Sequence, residues 1–227
     1  MKIEVLGDDE AVAARGAAFV AAAARDAVVA RGRFVIAVSG GHTPWKMLRA
    51  LASQEVPWAA VHVVQVDERV APAGDPERNL THLRESLLAH APLPPEHLHA
   101  MPVEGPDLSA AAASYAALLA QLAGSPPVLD LVHLGMGPDG HTASLVPGDP
   151  VLEVGDVDVA ITGGLYQGRR RITLTYPALN RARQILWLIT GADKAPMLAR
   201  LRAGDRGIPA GRIRADNAVV LTDIRVQ

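Results

Sequence analysis

The 227-residue chain has no cysteine. That excludes disulfides, thiolate nucleophiles and cysteine–zinc sites, and it suits a reducing cytoplasm. An excess of charge of one sign is also lacking. Twenty-two Lys and Arg against 24 Asp and Glu leave a formal net charge of −2. So small a charge gives no basis for a nucleic-acid binder or a ligand of anionic membranes. Long apolar runs are missing too. In the uncharged stretch AAAASYAALLAQLAGSPPVL the apolar part stops before Gly124. It falls short of the roughly 20 strongly apolar residues that span a bilayer. MKIEVLGDDE places acids where a signal peptide needs a basic patch and then an apolar run,. No internal repeat occurs, the glycines and prolines being scattered,. The ending G-K-[ST] of a Walker loop, the zinc motif H-E-x-x-H and the nucleophile elbow G-x-S-x-G are all absent,.

What is present is a 49% hydrophobic composition, enough for one compact domain over 1–227,. Strand-like and helix-like segments alternate. KIEVL (Lys2–Leu6), RFVIAV (Arg33–Val38), VHVVQV (Val61–Val66) and LDLVHLGM (Leu129–Met136) read as strands. So do DVAIT, RRRITLTY, QILWLIT (Gln184–Thr190) and AVVLTDIRV (Ala218–Val226). Helices are expected over about Asp9–Arg31, Asn79–His90, Pro106–Leu122 and Lys194–Arg202. Two more are expected to open at Thr43-Pro44, with threonine as N-cap and proline at the first turn, and at Pro177,. Apolar strands alternating with helices predict a three-layer α/β fold. Its sheet is largely parallel, with helices on both faces. In such sheets ligands bind at the carboxyl ends of strands.

Four loops at those ends carry the chemistry. SGGHTP (Ser39–Pro44) leads from a strand into a helix. Its glycines permit a tight turn and present amides at a helix N-terminus, a cradle for phosphate or simply a turn. VDERVAP places Asp67, Glu68 and Arg69 at the next strand end, either as site residues or as surface charge. TGADKAPML places Lys194 at a helix start, where an anionic ligand would account for a cation that the helix dipole disfavours,. Arg169, Arg170 and Arg171 could bring a further cation or form a solvated edge.

The fourth loop, LGMGPDGHTASLVPG, formally spells G-x-G-x-x-G. A dinucleotide site needs a long helix after the last glycine. Here Pro147-Gly148 interrupts, and Asp139 stands where a pyrophosphate wants neutral backbone. His141, two residues beyond Asp139, suits general acid–base work, with the carboxylate able to orient its ring. Of the other histidines only His42, in the first loop, is placed to line a site. Together the loops imply a phosphorylated small molecule handled by acid–base chemistry.

AVSGGHTP, VDERVAP…DPERNL, LGMGPDGHTASLVPG and RITLTYPALN…LITGADKAPML, in this order, resemble the glucosamine-6-phosphate isomerase/6-phosphogluconolactonase family, on its lactonase side. The resemblance covers nearly the whole chain. It implies a Rossmann-like, deaminase/isomerase-type fold and hydrolysis of a sugar-phosphate lactone without metal or organic cofactor. It also implies a small-molecule sugar-phosphate substrate; a monomer is expected, with an oligomer left open. By position, His141 would be the base that activates water, and Asp139 its support. Ser39, Gly40, Gly41 and Thr43 would line the sugar-phosphate pocket. Arg69 and Lys194 would meet the phosphate, with Arg171 a further candidate. Asp67 matches the proton-shuttling carboxylate of the related deaminases. Amides of the GMGPDG loop are expected to face the developing oxyanion.

Rival readings differ at particular residues. The deaminases typically carry glutamate where this chain has Val146, and valine cannot shuttle a proton. Lactonases often carry an aromatic residue at Val146 and serine at Arg78, so Val146 departs from both patterns and Arg78 from the lactonase one. A non-catalytic sugar-phosphate sensor would need an attached DNA-binding or partner segment, for which no basic patch is visible. A cofactor-dependent oxidoreductase fails on the missing helix.

Overall fold

The structure, a computed structural model, describes residues 1–225. It opens with β1 (Lys2–Val5), α1 (Asp9–Arg31) and β2 (Phe34–Val38). Then come α2 (His42–Leu51), β3 (Val61–Gln65), β4 (Asp67–Arg69) and α3 (Asn79–Leu83). β5 (Leu98–His99), α4 (Leu108–Ala123), β6 (Leu131–Leu134) and β7 (Val159–Ile161) follow. The last elements are β8 (Arg171–Leu174), α5 (Tyr176–Asn180), β9 (Gln184–Ile189), α6 (Ala195–Arg202) and β10 (Ala218–Thr222).

Seven strands form one sheet in the order β1-β10-β9-β6-β2-β3-β5. Every neighbouring pair in it is parallel. The burial of β2 shows why its five residues, FVIAV, are all apolar. Phe34, Ile36 and Val38 pack into the layer of α1 and α2. Val35 and Ala37 point the other way, into the layer of α4 and α6. A strand covered on both faces cannot alternate polar and apolar residues. The three-layer expectation therefore holds.

Helix α1 follows from its composition. Asp8 caps it by accepting from the amide of Ala11 at 2.7 Å, and Gly32 ends it in the left-handed conformation,. Its buried face is made of Val12, Ala13, Gly16, Ala17 and further small residues. Small side chains bring α2 close: a Cβ on Gly16 would stand 3.0 Å from Met47 Sδ.

Several expectations need correction. Asp67–Arg69 is not loop. At Val66 the chain leaves the main sheet, and β4 pairs antiparallel with β8 in a second sheet, β4-β8-β7. DVAIT and RRRITLTY thus supply that small sheet and not the parallel one. Helix α2 begins at His42 with Gly41 as cap, not at Thr43. Gly41 adopts φ 134°, which frees Thr43 to turn inward and bond Thr190 Oγ1 at 2.7 Å. The helix expected over Asn79–His90 is α only to Leu83, continuing as a π turn over Arg84–Leu88. The edge strand β5 was not anticipated. The last strand ends at Thr222, and Val226 lies outside the described residues.

Candidate active site

The strand order reverses direction between β2 and β6. From β2 the chain proceeds outward to β3 and β5, whereas β6, β9 and β10 lie on the other side. Loops leaving the carboxyl ends of β2 and β6 therefore diverge and leave a crevice at this switch point. A cavity of about 600 Å³ opens there. It brings together Ser39, Gly40, Gly41, Thr43, Asp67 and Arg69. It also gathers His141, Arg171 and Lys194. Of the expected site residues only Asp139 is not on its wall, and it stands directly behind His141.

The loop after β6 is built around that pair. Asp139 Oδ1 accepts from the His141 ring at Nδ1 over 2.6 Å and from the His141 amide over 3.1 Å. Burial pushes the Asp139 carboxyl up, but those N–H donors outweigh it and hold it below the usual carboxylate range,. An ionised Asp139 at that distance places the shared proton on Nδ1 and leaves Nε2 as the basic nitrogen. Nε2 has no hydrogen-bond partner among the described residues, and His141 lines the cavity. Gly137 is needed for this geometry: a Cβ there would fall 2.1 Å from Nδ1 and Cε1 of His141.

Two amides of this loop are engaged within the turn. Gly137 N–H donates to the His141 carbonyl, Gly140 N–H to the Gly137 carbonyl, and Pro138 has none. The turn thus uses the Gly137 and Gly140 amides for its own closure, while Gly135 and Met136 line the cavity. Nor does a helix follow Gly140; the next helical turn is a short one at Pro150–Glu153. The dinucleotide reading fails on that geometry.

The loop after β2 supplies the free donors. The first N–H groups of α2 have no partner within the helix, as helix geometry requires,. The Ser39 hydroxyl is buried and has no hydrogen-bond partner among the described residues. The amide of Ser39 is held by Nδ1 of His133 at 3.2 Å. Burial drives His133 down to about 3, so it stays a neutral acceptor,. Gly40 is required because a Cβ would stand 2.0 Å from Asn79 Oδ1. Lys194, on the turn before α6, forms no ion pair among the described residues. Its side of the cavity is joined to the α2 N-terminus through the Thr43–Thr190 bond.

The β4–β8 sheet forms the remaining wall. The Asp67 carboxylate is buried and accepts from Ser144 Oγ at 2.5 Å and from Asn79 Nδ2 at 3.3 Å. Arg69 bonds Asn79 Oδ1 and the Glu77 carbonyl and keeps its Nε unpartnered. Arg171 is buried, 3.9 Å from Asp67 Oδ2, also with a free Nε. Burial lowers its pKa, with the Asp67 charge partly opposing. Arg169 is turned away, paired with Asp75 and Glu77. Glu68 faces the interior, not the cavity. It is fully buried and accepts from the amides of Arg69, Asn79 and Leu80 and from Gln65 Nε2.

Sequence reasoning missed Asn79, which ties Asp67 to Arg69. It also missed Tyr166, which touches the Asp139–His141 pair, and His133 behind Ser39. Asn79 lies within DPERNL but its role shows only in its bonds to Asp67 and Arg69, and those of His133 and Tyr166 depend on packing across 25 to 94 residues of chain.

Fold and cavity together define a class: an α/β enzyme with an anion cradle and an Asp–His pair at the carboxyl ends of a parallel sheet. Residues 7–222 match the family described as glucosamine-6-phosphate isomerases/6-phosphogluconolactonase. A 6-phosphogluconolactonase of Nostoc sp. is 38% identical over 205 residues, 88% of this chain and 85% of its own length. One from Mycobacterium tuberculosis is 37% identical over 234 residues, 97% of this chain and 95% of its own. A solved 6-phosphogluconolactonase from Thermotoga maritima aligns with a TM-score of 0.86 at 27% identity, covering 97% of this chain and 98% of that one. The chain belongs to the glucosamine-6-phosphate isomerase/6-phosphogluconolactonase family.

Proposed function

We propose that the protein hydrolyses 6-phospho-D-glucono-1,5-lactone to 6-phosphogluconate, with His141 as general base. The observation that carries the chemistry is the 2.6 Å Asp139–His141 contact, which leaves Nε2 free at a cavity lined with unpaired cationic and N–H donors. The names of the relatives support the choice of substrate.

In this reading Nε2 takes a proton from water as its oxygen attacks the lactone carbonyl carbon. The tetrahedral intermediate then collapses. The bond from that carbon to the ring oxygen breaks, and the ring oxygen leaves as a hydroxyl, taking the proton back from the imidazolium. General-base assistance of this kind contributes about 10²–10⁴-fold. Asp139 keeps the imidazole in the required tautomer and stabilises the imidazolium. The phosphate sits on Lys194 and the Ser39–Thr43 loop, with Arg69 and Arg171 adding positive potential. Held there, it fixes the ring and turns remote binding energy into orientation. Asp67 accepts from substrate hydroxyls. The chemistry asks for no metal and no organic cofactor, and the reading carries no nucleic-acid or membrane partner. A monomeric 1–227 unit, working in the cytoplasm, is sufficient for it. Among the described residues no helix is long and apolar enough to cross a membrane.

The test is turnover of freshly made 6-phosphogluconolactone at controlled pH, with the spontaneous rate subtracted and glucosamine 6-phosphate run alongside. Lactone hydrolysis without ammonia release is expected. Ammonia release from glucosamine 6-phosphate with no lactone turnover would overturn the reading.

A further inference from the structure

Between β7 and β8 the chain makes a turn that places one aromatic side chain against the Asp139–His141 pair. Tyr166 and Arg169 bond each other through both backbone groups, Tyr166 N–H to Arg169 O at 3.0 Å and Arg169 N–H to Tyr166 O at 3.3 Å. The two residues between them, Gln167 and Gly168, have φ of 53° and 77°. Two positive φ values in a two-residue hairpin make a type I′ turn. Glycine adopts that conformation freely; glutamine does not, and a strained residue persists only where its surroundings hold it.

The surroundings here are specific. Gln167 Oε1 accepts from Arg171 at 3.1 Å. The same guanidinium lies 4.9 Å from the centre of the Tyr166 ring. At the other end of the turn Asp149 accepts from the amides of Gly163 and Gly164. The turn is thus pinned on both sides, and its product is the position of one hydroxyl. Tyr166 Oη lies 3.4 Å from Asp139 Oδ2 and 3.3 Å from His141 Nδ1, and its ring meets the imidazole edge-on at 5.2 Å. Burial and the Asp139 charge push the Tyr166 pKa up, so at neutral pH it remains a donor.

We propose that Tyr166 is a positioning residue: its hydroxyl donates to Asp139 Oδ2 and its ring braces the imidazole, fixing the tautomer and direction of His141. Asp139 Oδ1 is then left for Nδ1–H, and the imidazole edge that carries Nε2 is held toward the cavity. This rests on His141 being the base. The Gln167 strain and the Arg171 contacts serve to hold Tyr166 there.

The experiment compares Tyr166→Phe, His141→Ala and the double variant on 6-phosphogluconolactone. Phenylalanine keeps the ring over Arg171 and loses only the hydroxyl. The expected result is a kcat about tenfold lower with KM within twofold. Without the hydroxyl, Asp139 is a stronger acceptor for the imidazolium, so the acidic limb of the kcat/KM profile should move to higher pH. In the double variant Tyr166→Phe should add nothing to His141→Ala, because it acts through that ring. A wild-type kcat and pH profile in Tyr166→Phe overturns the proposal, as does a raised KM at unchanged kcat, which marks a substrate contact. If His141→Ala itself stays active, it is the base assignment that fails, and the Tyr166 result then has no bearing on that failure.

Discussion

Gly137 offers a test of whether the position of His141 sets the rate. A Cβ on Gly137 falls 2.1 Å from both Nδ1 and Cε1 of the imidazole and 2.8 Å from Asp139 Oδ1. Non-bonded heavy atoms settle at about 3.5 Å. Alanine at 137 therefore forces the ring back by about 1.4 Å, or rotates it off Asp139. The backbone raises no objection of its own, since Gly137 is not among the positive-φ glycines. Damage should be confined to the reacting geometry. A displacement of about 1 Å can cost on the order of 10²-fold in rate, which is about 2.7 kcal/mol of activation free energy. Gly137→Ala is accordingly expected to lower kcat about 100-fold, with KM little changed and the unfolding midpoint within a few degrees of wild type. Gly155→Ala, where a Cβ meets nothing within 4 Å, is the control and should be neutral. The assay is lactone hydrolysis with the spontaneous rate subtracted, alongside thermal unfolding. Full kcat in Gly137→Ala would refute the dependence of rate on this ring position.

Lys194→Ala should mainly raise KM for the phosphorylated lactone, by roughly tenfold or more for a lost charged contact. An equal effect on an unphosphorylated lactone would argue against phosphate contact. Glu68→Ala removes the acceptor of four N–H groups and one of the two carboxylates beside buried Arg78, the other being Glu104, so urea unfolding should show a loss of about 3–5 kcal/mol; a loss under 1 kcal/mol would contradict the role given to Glu68. Stability should also depend on pH through buried neutral histidines. Burial pulls His133 down to about 3, and burial followed by the nearby His97, His99 and Arg33 charges pulls His62 down to about 4. Below about 6.5 the unfolded chain binds protons that the native state refuses, so this stability is complete above pH 6.5 and is lost as pH falls toward 4 and 3. Between pH 7.5 and 5, His133 alone accounts for about 2 kcal/mol. Urea unfolding of wild type and His133→Asn at pH 7.5 and 5.0 checks it, and an unchanged pH slope in the variant would count against it.

The sequence makes the parallel sheet legible because strands buried on both faces must be apolar throughout, as FVIAV in β2 is. It makes the Asp139–His141 pair legible because the two residues are two apart and meet within one turn. The start of α2 was misread by two residues, since Thr43 satisfies a cap pattern but bonds Thr190, a partner 147 residues away. Asp67, Glu68 and Arg69 read as loop charges after a strand, either in a site or on the surface. They became a strand because β8, a hundred residues later, pairs with them. Two of the GMGPDG amides, those of Gly137 and Gly140, close the turn itself, which the spelling of the motif does not reveal. His133 and Tyr166 could not be found by motif, since each acts only once distant segments are packed together.

The central claim is that His141 is the base of a lactonase. Its most direct test is the steady-state hydrolysis of 6-phosphogluconolactone by His141→Ala across pH 5–9, beside the wild type and with folding checked by unfolding midpoint. Loss of the base should leave a kcat at least about 10²-fold lower, with the acidic limb of the wild-type profile gone. Near-wild-type turnover with that limb intact would contradict it.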